Sequence, residues 1–102
     1  MSIKGDSYSF TDANIDRAPD SPGVYQLSEN GTVIYIGMSK RSIQTRLRAH
    51  KAGSEGACTK KATTYKRETT TAERAETYEA ELLTEYKKLH SGKLPSCNKL
   101  AS

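Results

Sequence analysis

The stretch Gly23-Val24-Tyr25-Gln26-Leu27-Ser28-Glu29-Asn30-Gly31-Thr32-Val33-Ile34-Tyr35-Ile36-Gly37 decides the fold. Tyr, Val and Ile fill both halves and Asn30-Gly31 lies between them, the pattern of a β-hairpin with a tyrosine in each arm. Register decides whether the tyrosines cooperate, because successive side chains on a strand point to opposite faces. A strict Asn30-Gly31 loop pairs Glu29 with Thr32, sets Tyr25 opposite Ile36 and sends the tyrosines to opposite faces. A Glu29-Asn30-Gly31 loop pairs Ser28 with Thr32 and sets Tyr25 directly opposite Tyr35. Glu-Asn-Gly-Thr suits a type I turn followed by a left-handed Gly31, so the second register is expected.

Upstream of the hairpin, residues 1–9 read as a loose terminus. Thr11 suits the cap of a short helix through Ile15 and Arg17, and Pro19 and Pro22 end it. Downstream, residues 40–52 read as a helix. Ile43, Arg46, Leu47 and His50 fall on one face at i, i+3, i+4 and i+7. Arg46 and His50 thus flank an apolar stripe, either as working groups or as side chains snorkelling at its edge. Gly53 and Gly56 bracket a loop, and Ala62 to Thr70, rich in Thr, suits a third strand. Residues 72–90 form the clearest helix, with Ala75, Tyr78, Leu82, Tyr86 and Leu89 as its stripe. Glu79 lies on the inward side, where a carboxylate needs a cation or a donor. It is a candidate metal ligand or ion-pair partner, or simply a Glu at the stripe's edge. Gly92 and Pro95 stop the helix before Asn98.

The whole 102-residue chain supports one small domain, residues 1–102 with a core over about 22–98. The expected class is α/β (α+β): a small, mainly antiparallel three-stranded sheet flanked by helices. There is no long apolar run, so neither a transmembrane helix nor a secretory signal is expected. Cys58 and Cys97 lack metal-ligand spacing and read as reduced thiols of a cytoplasmic protein. The net charge is +4, unevenly spread. Residues 1–37 carry two positive and five negative side chains, residues 38–68 nine and two, and residues 69–102 five of each. A basic excess confined to the middle third suits a polyanion such as nucleic acid, or an ordinary solvated face.

Gly23-Val24-Tyr25, ten residues on from the first tyrosine Tyr35-Ile36-Gly37, resembles the signature of the GIY-YIG nuclease family. The likeness covers about residues 22–98. Arg46 on its helix matches the family arginine one residue late, and His50 matches a histidine that some members carry four residues further on. Glu79-Ala80-Glu81-Leu82-Leu83 resembles the metal-binding glutamate and its flank, and Asn98 after Pro95 resembles the late asparagine. The excision-repair members carry a lysine directly after Tyr-x-Gly. Here that residue is Met38, with Lys40 as a neighbouring substitute.

The resemblance implies a metal-dependent endonuclease that hydrolyses DNA phosphodiester bonds with one divalent ion, Mg²⁺ or Mn²⁺, in repair, recombination or restriction. RNA stays open as a substrate. Glu79 would hold the metal, Arg46 the phosphate, and Tyr25 or Tyr35 would take a proton from water, with Tyr25 favoured. His50 would orient a tyrosine or touch phosphate, and Asn98 would position the glutamate or the backbone. Gly23 and Gly37 would let the chain approach closely. Lys40, Arg41, Arg48, Lys60, Lys61, Lys66 and Arg67 are candidate phosphate contacts. With no room expected for a targeting domain, the chain would cut weakly and without sequence choice, prefer a branched structure, or depend on a protein partner for targeting. A catalytically silent nucleic-acid-binding module on the same scaffold is the alternative, and a partner-binding subunit without a role on DNA is the third reading.

Overall fold

A computed structural model describes residue 3 and residues 5–98. Four strands form one sheet: β1 (Tyr8–Ser9), β2 (Gly23–Glu29), β3 (Thr32–Ser39) and β4 (Thr64–Thr69). Their order is β1-β4-β2-β3, and every neighbouring pair is antiparallel. The helices are α1 (Asp12–Asp16), α2 (Ile43–Ala52), α3 (Ala57–Lys60) and α4 (Ala72–Leu89). The sheet thus has one strand more than expected. The fourth comes from the terminus read as loose: Tyr8 pairs with Tyr65, and Ile3 is buried against Val24, Ile36, Tyr78 and Leu82. Tyr8 also stacks on Tyr65, which rewards the pairing of so short a strand.

The hairpin does not adopt the expected register. Glu29 pairs with Thr32, so the loop is the two-residue Asn30-Gly31. Asn30 (φ 50°) and Gly31 (φ 87°) are both left-handed, as a type I′ turn requires, and Asn is one of the few side chains that tolerates this. That loop alone would put the tyrosines on opposite faces. A bulge reverses the outcome: Ser28 pairs with Val33 and Leu27 with Tyr35, leaving Ile34 as the extra residue. Ile34 and Tyr35 consequently both join the cluster that holds Tyr25 and Leu27. The Ile34 carbonyl accepts a hydrogen bond from the Cys97 amide at 2.8 Å. Tyr25 faces Gly37 across the pair, with Tyr35 on the diagonal.

Side-chain oxygens begin three helices as the sequence suggested. Thr11, Ser42 and Thr71 each accept from the amide three residues on. The helix expected from residue 40 starts later, at Ile43. Ser39 Oγ first accepts from the amides of Arg41 and Ser42, which holds Lys40 and Arg41 in a turn. Gly53 in the left-handed region ends α2. The helices sit on two sides. One core joins Tyr25, Leu27, Tyr35 and Tyr65 to Ile15, Ile43 and Leu47 of α1 and α2, and the other joins Val24 and Ile36 to Tyr78 and Leu82 of α4.

Candidate active site

The tyrosine face is built on glycines. A Cβ at Gly37 would lie 2.6 Å from a Tyr35 ring carbon and 2.7 Å from the Tyr25 ring and hydroxyl, so both rings rest on bare backbone. A Cβ at Gly23 would meet Ile43 Cδ1 at 2.6 Å and Thr69 Cα at 2.9 Å, so this glycine lets α2 and β4 close on β2. The Tyr25 and Tyr35 rings lie 6.1 Å apart between centroids. His50, delivered by the buried side of α2, packs on both, with centroids 5.4 Å from Tyr25 and 4.9 Å from Tyr35.

His50 also links two hydroxyls. Its Nε2 lies 2.8 Å from the Tyr25 hydroxyl oxygen, and its Nδ1 lies 2.8 Å from Thr59 Oγ1 on α3. Burial, helped by the Arg46 charge, lowers the His50 pKa to about 4, so the ring is neutral at neutral pH, with one donor and one acceptor nitrogen. Burial raises the Tyr25 pKa above the ordinary phenol value; Tyr35 adds to this and Arg46 opposes it. Burial likewise raises Tyr35, against Arg46 and with help from Glu79. Positive charge alone therefore does not make either phenol an easy proton donor. The site instead offers Tyr25 a neutral imidazole at hydrogen-bond distance.

Arg46 sits at the rim of these rings. Its Nη2 is 3.3 Å from Glu55 Oε1, and its Nε is buried without a hydrogen bond to the described residues. A groove of about 660 Å³, lined in part by Met38, Arg41, Thr45 and Arg46, opens beside it. Glu79 on α4 lies near enough for its charge to be felt at Tyr35 and for the Arg46 charge to be felt at it. Burial and the neighbouring Glu76 raise the Glu79 pKa. Glu79 is half-buried and makes no hydrogen bond or ion pair to the described residues. A carboxylate in that condition suits a hard divalent cation. No cluster of three or more His, Cys, Asp or Glu that could hold a metal ion lies among the described residues.

Asn98 grips the backbone and not the glutamate. Its Oδ1 accepts from the Ile36 amide and its Nδ2 donates to the Ile36 carbonyl, both at 2.9 Å. The middle residue of Tyr35-Ile36-Gly37 is thereby fixed from outside the sheet. Next to Asn98, Cys97 is bridged to Cys58, which corrects the reading of both as thiols. A separation of 39 residues gave no hint of proximity, but α3 and the segment after α4 bring the two Cα atoms to 5.6 Å. The premise for a reducing compartment goes with it. Among the described residues no helix is long and apolar enough to cross a membrane.

Residues 21–93 match the family model described as the GIY-YIG catalytic domain. The chain belongs to the GIY-YIG family. Similar solved structures are those of the GIY-YIG N-terminal endonuclease domain of UvrC from Thermotoga maritima. The magnesium-bound form is 27% identical, with a TM-score of 0.60 over 76% of this chain and 94% of that one. A tyrosine-to-phenylalanine mutant bound to its catalytic divalent cation is 29% identical, with a TM-score of 0.62 over 74% and 87%. An asparagine-to-alanine mutant, likewise cation-bound, is 29% identical, with a TM-score of 0.60 over 76% and 93%. No curated protein matches the chain. As an enzyme, this GIY-YIG domain is of the nuclease class.

Within the GIY-YIG domain, the position after Tyr-x-Gly is structural: Met38 packs against the α4 core. Lys40 turns away to Glu76, 3.2 Å from its carboxylate. The other basic candidates do not form one surface. Arg48 pairs with Asp16 at 2.9 Å, and Arg67 covers the Tyr8 ring. Lys66 lies opposite Gln26 and alternates away from Tyr65 and Arg67, while Lys60 and Lys61 are exposed around the end of α3. Of the basic candidates, Lys40 and Arg41 line the groove beside Arg46. Two residues of the GIY-YIG site gave no signal in the sequence. Thr59 looked like one more threonine of a polar loop. Glu55, an acid inside the basic third, was visible only as an exception in the charge count.

Proposed function

We propose that this domain is a metal-dependent endonuclease that hydrolyses DNA phosphodiester bonds, in the broad setting of repair, recombination or restriction. The observation that carries the reading is the Tyr25–His50 contact, within reach of the Arg46 charge, with the Glu79 charge felt at Tyr35. Glu79 would hold a divalent ion, Mg²⁺ or Mn²⁺. When bound, such an ion polarises the phosphate and offsets charge on the leaving oxygen. The cation-bound UvrC domains support this assignment.

The chain's own groups do the rest. Arg46 offers phosphate a fork of donors that never loses its charge. The phosphate would displace Glu55 from the fork. Tyr25 takes a proton from the attacking water while its own proton passes to His50 Nε2, so no free phenolate is needed at neutral pH. Tyr35 packs against His50 and bounds the space in which the water stands. Asn98 holds the strand that carries Tyr35. Arg41 and Lys40, next to the groove, extend the phosphate contacts, which give affinity without sequence choice.

Plasmid nicking with Mg²⁺ or Mn²⁺, with and without chelator, tests the proposal on the wild type and on Glu79→Ala. Metal-dependent nicking by the wild type, lost in the variant, is expected. DNA binding without cleavage under either metal would favour the silent binding module instead.

A further inference from the structure

Thr59 has no place in the activity as described so far. Yet it is 3% exposed, and its hydroxyl spends its one side-chain contact on His50 Nδ1. A neutral imidazole carries its proton on one nitrogen only, and the partner of the far nitrogen sets which one. The near nitrogen, Nε2, meets Tyr25. Arg46 has only donors, and its charge and donor fork pull the Tyr25 pKa down against burial, as a donor turned toward the Tyr25 oxygen does. The Tyr25 hydrogen then needs an acceptor of its own in this buried place. Nε2, at 2.8 Å, is the group that meets it. With Nε2 unprotonated, Nδ1 carries the hydrogen and donates it to Thr59 Oγ1.

We infer that Thr59 is a positioning residue: by accepting from Nδ1–H it fixes the His50 tautomer that leaves Nε2 free to take the Tyr25 proton. The inference rests on the proposed proton path for its catalytic consequence, but not for the tautomer itself. Proton balance holds along the path. One hydrogen moves from water to the Tyr25 oxygen, and the Tyr25 hydrogen moves to Nε2. The resulting imidazolium keeps its second hydrogen on Thr59. Neighbouring contacts keep Thr59 in place. Cys58, one residue before it, is bridged to Cys97, and the Thr59 carbonyl accepts from the Ala62 amide at 3.2 Å.

The test uses ¹⁵N-histidine-labelled full chain at neutral pH, with Thr59→Val and Thr59→Ser beside the wild type. Long-range ¹H–¹⁵N spectra report which His50 nitrogen is protonated, whether or not the protein cleaves anything. The expected result is protonated Nδ1 in the wild type and in Thr59→Ser. In Thr59→Val the hydrogen shifts toward Nε2, and kcat for nicking falls about 10- to 100-fold with KM unchanged. Thr59→Ser restores kcat. Protonated Nε2 in the wild type overturns the inference, as does a Thr59→Val spectrum and kcat equal to wild type. If Thr59→Val does not fold, the wild-type and Thr59→Ser spectra decide by the same criterion. A wild type that shows the expected tautomer and cuts nothing would sink the nuclease proposal and leave this one standing.

Discussion

The two faces of the sheet are equally buried and chemically unlike. Under α4, Val24 and Ile36 meet Tyr78, Leu82 and Ile3, and the one buried hydroxyl there, that of Tyr78, donates to Glu68 at 2.7 Å. Under α2 and α3, the same strands bury Tyr25, Tyr35, His50 and Thr59 beside a permanent cation. The apolar face follows the rule that burial rewards hydrocarbon. The tyrosine face accepts desolvated titratable groups, and burial there raises the pKa values of Tyr25 and Tyr35 and lowers that of His50. The difference separates labour: α4 supplies stability and delivers Glu79 at its rim, while the other face supplies the groups that move protons.

Paired substitutions can break that division. Tyr25→Phe keeps the ring and removes only the hydroxyl. It is expected to cut nicking by about 10²- to 10⁴-fold, the usual weight of a proton-transfer group, while the protein stays folded. Single-turnover cleavage with circular dichroism on the same samples measures both. Leu82→Ala on the opposite face should do the reverse, losing about 2–5 kcal/mol in urea denaturation while its folded fraction cleaves at the wild-type rate. A large loss of cleavage per folded molecule in Leu82→Ala would erase the distinction.

The smallest effect is expected from acid. His50 takes a proton near 6.5 in an unfolded chain and only near about 4 in the folded one. Between those values the unfolded state holds more protons, so stability rises with pH there. The contribution is complete above the unfolded value and is lost as pH falls toward the folded one. A drop on the order of 1–2 kcal/mol from pH 7 to pH 5 follows, absent in His50→Gln and present in Leu82→Ala. Urea midpoints across that range check it. Equal slopes in wild type and His50→Gln would mean that the imidazole is not held neutral by its burial.

How much of this was legible depended on distance along the chain. Local signals held: Thr11 as a cap, Asn30-Gly31 as a turn, and the stripe of α4. Helix spacing and the family likeness both pointed to Arg46, His50 and Glu79; His50 packs on Tyr25 and Tyr35, and the charges of Arg46 and Glu79 are felt at Tyr35. The hairpin shows where local reading stops. The same four residues, Glu29 to Thr32, allow a bulged loop or a type I′ turn, and choosing the latter moved the irregularity to Ile34. The tyrosines reached one face by a route the turn chemistry does not encode. Long-range partners were out of reach for the same reason. Nothing near Thr59 announces His50, nothing near Cys58 announces Cys97, and Tyr8 finds β4 only once the sheet exists.

The grip of Cys97 and Asn98 on β3 has a consequence beyond the active site. β3 is the last strand on its side of the sheet, and its outward amides and carbonyls would otherwise form an open template for a foreign strand. By occupying the Ile34 carbonyl and both backbone groups of Ile36, the two residues act as a stopper against strand addition. The segment that steadies the second tyrosine is thus also what keeps one molecule from zipping onto the next.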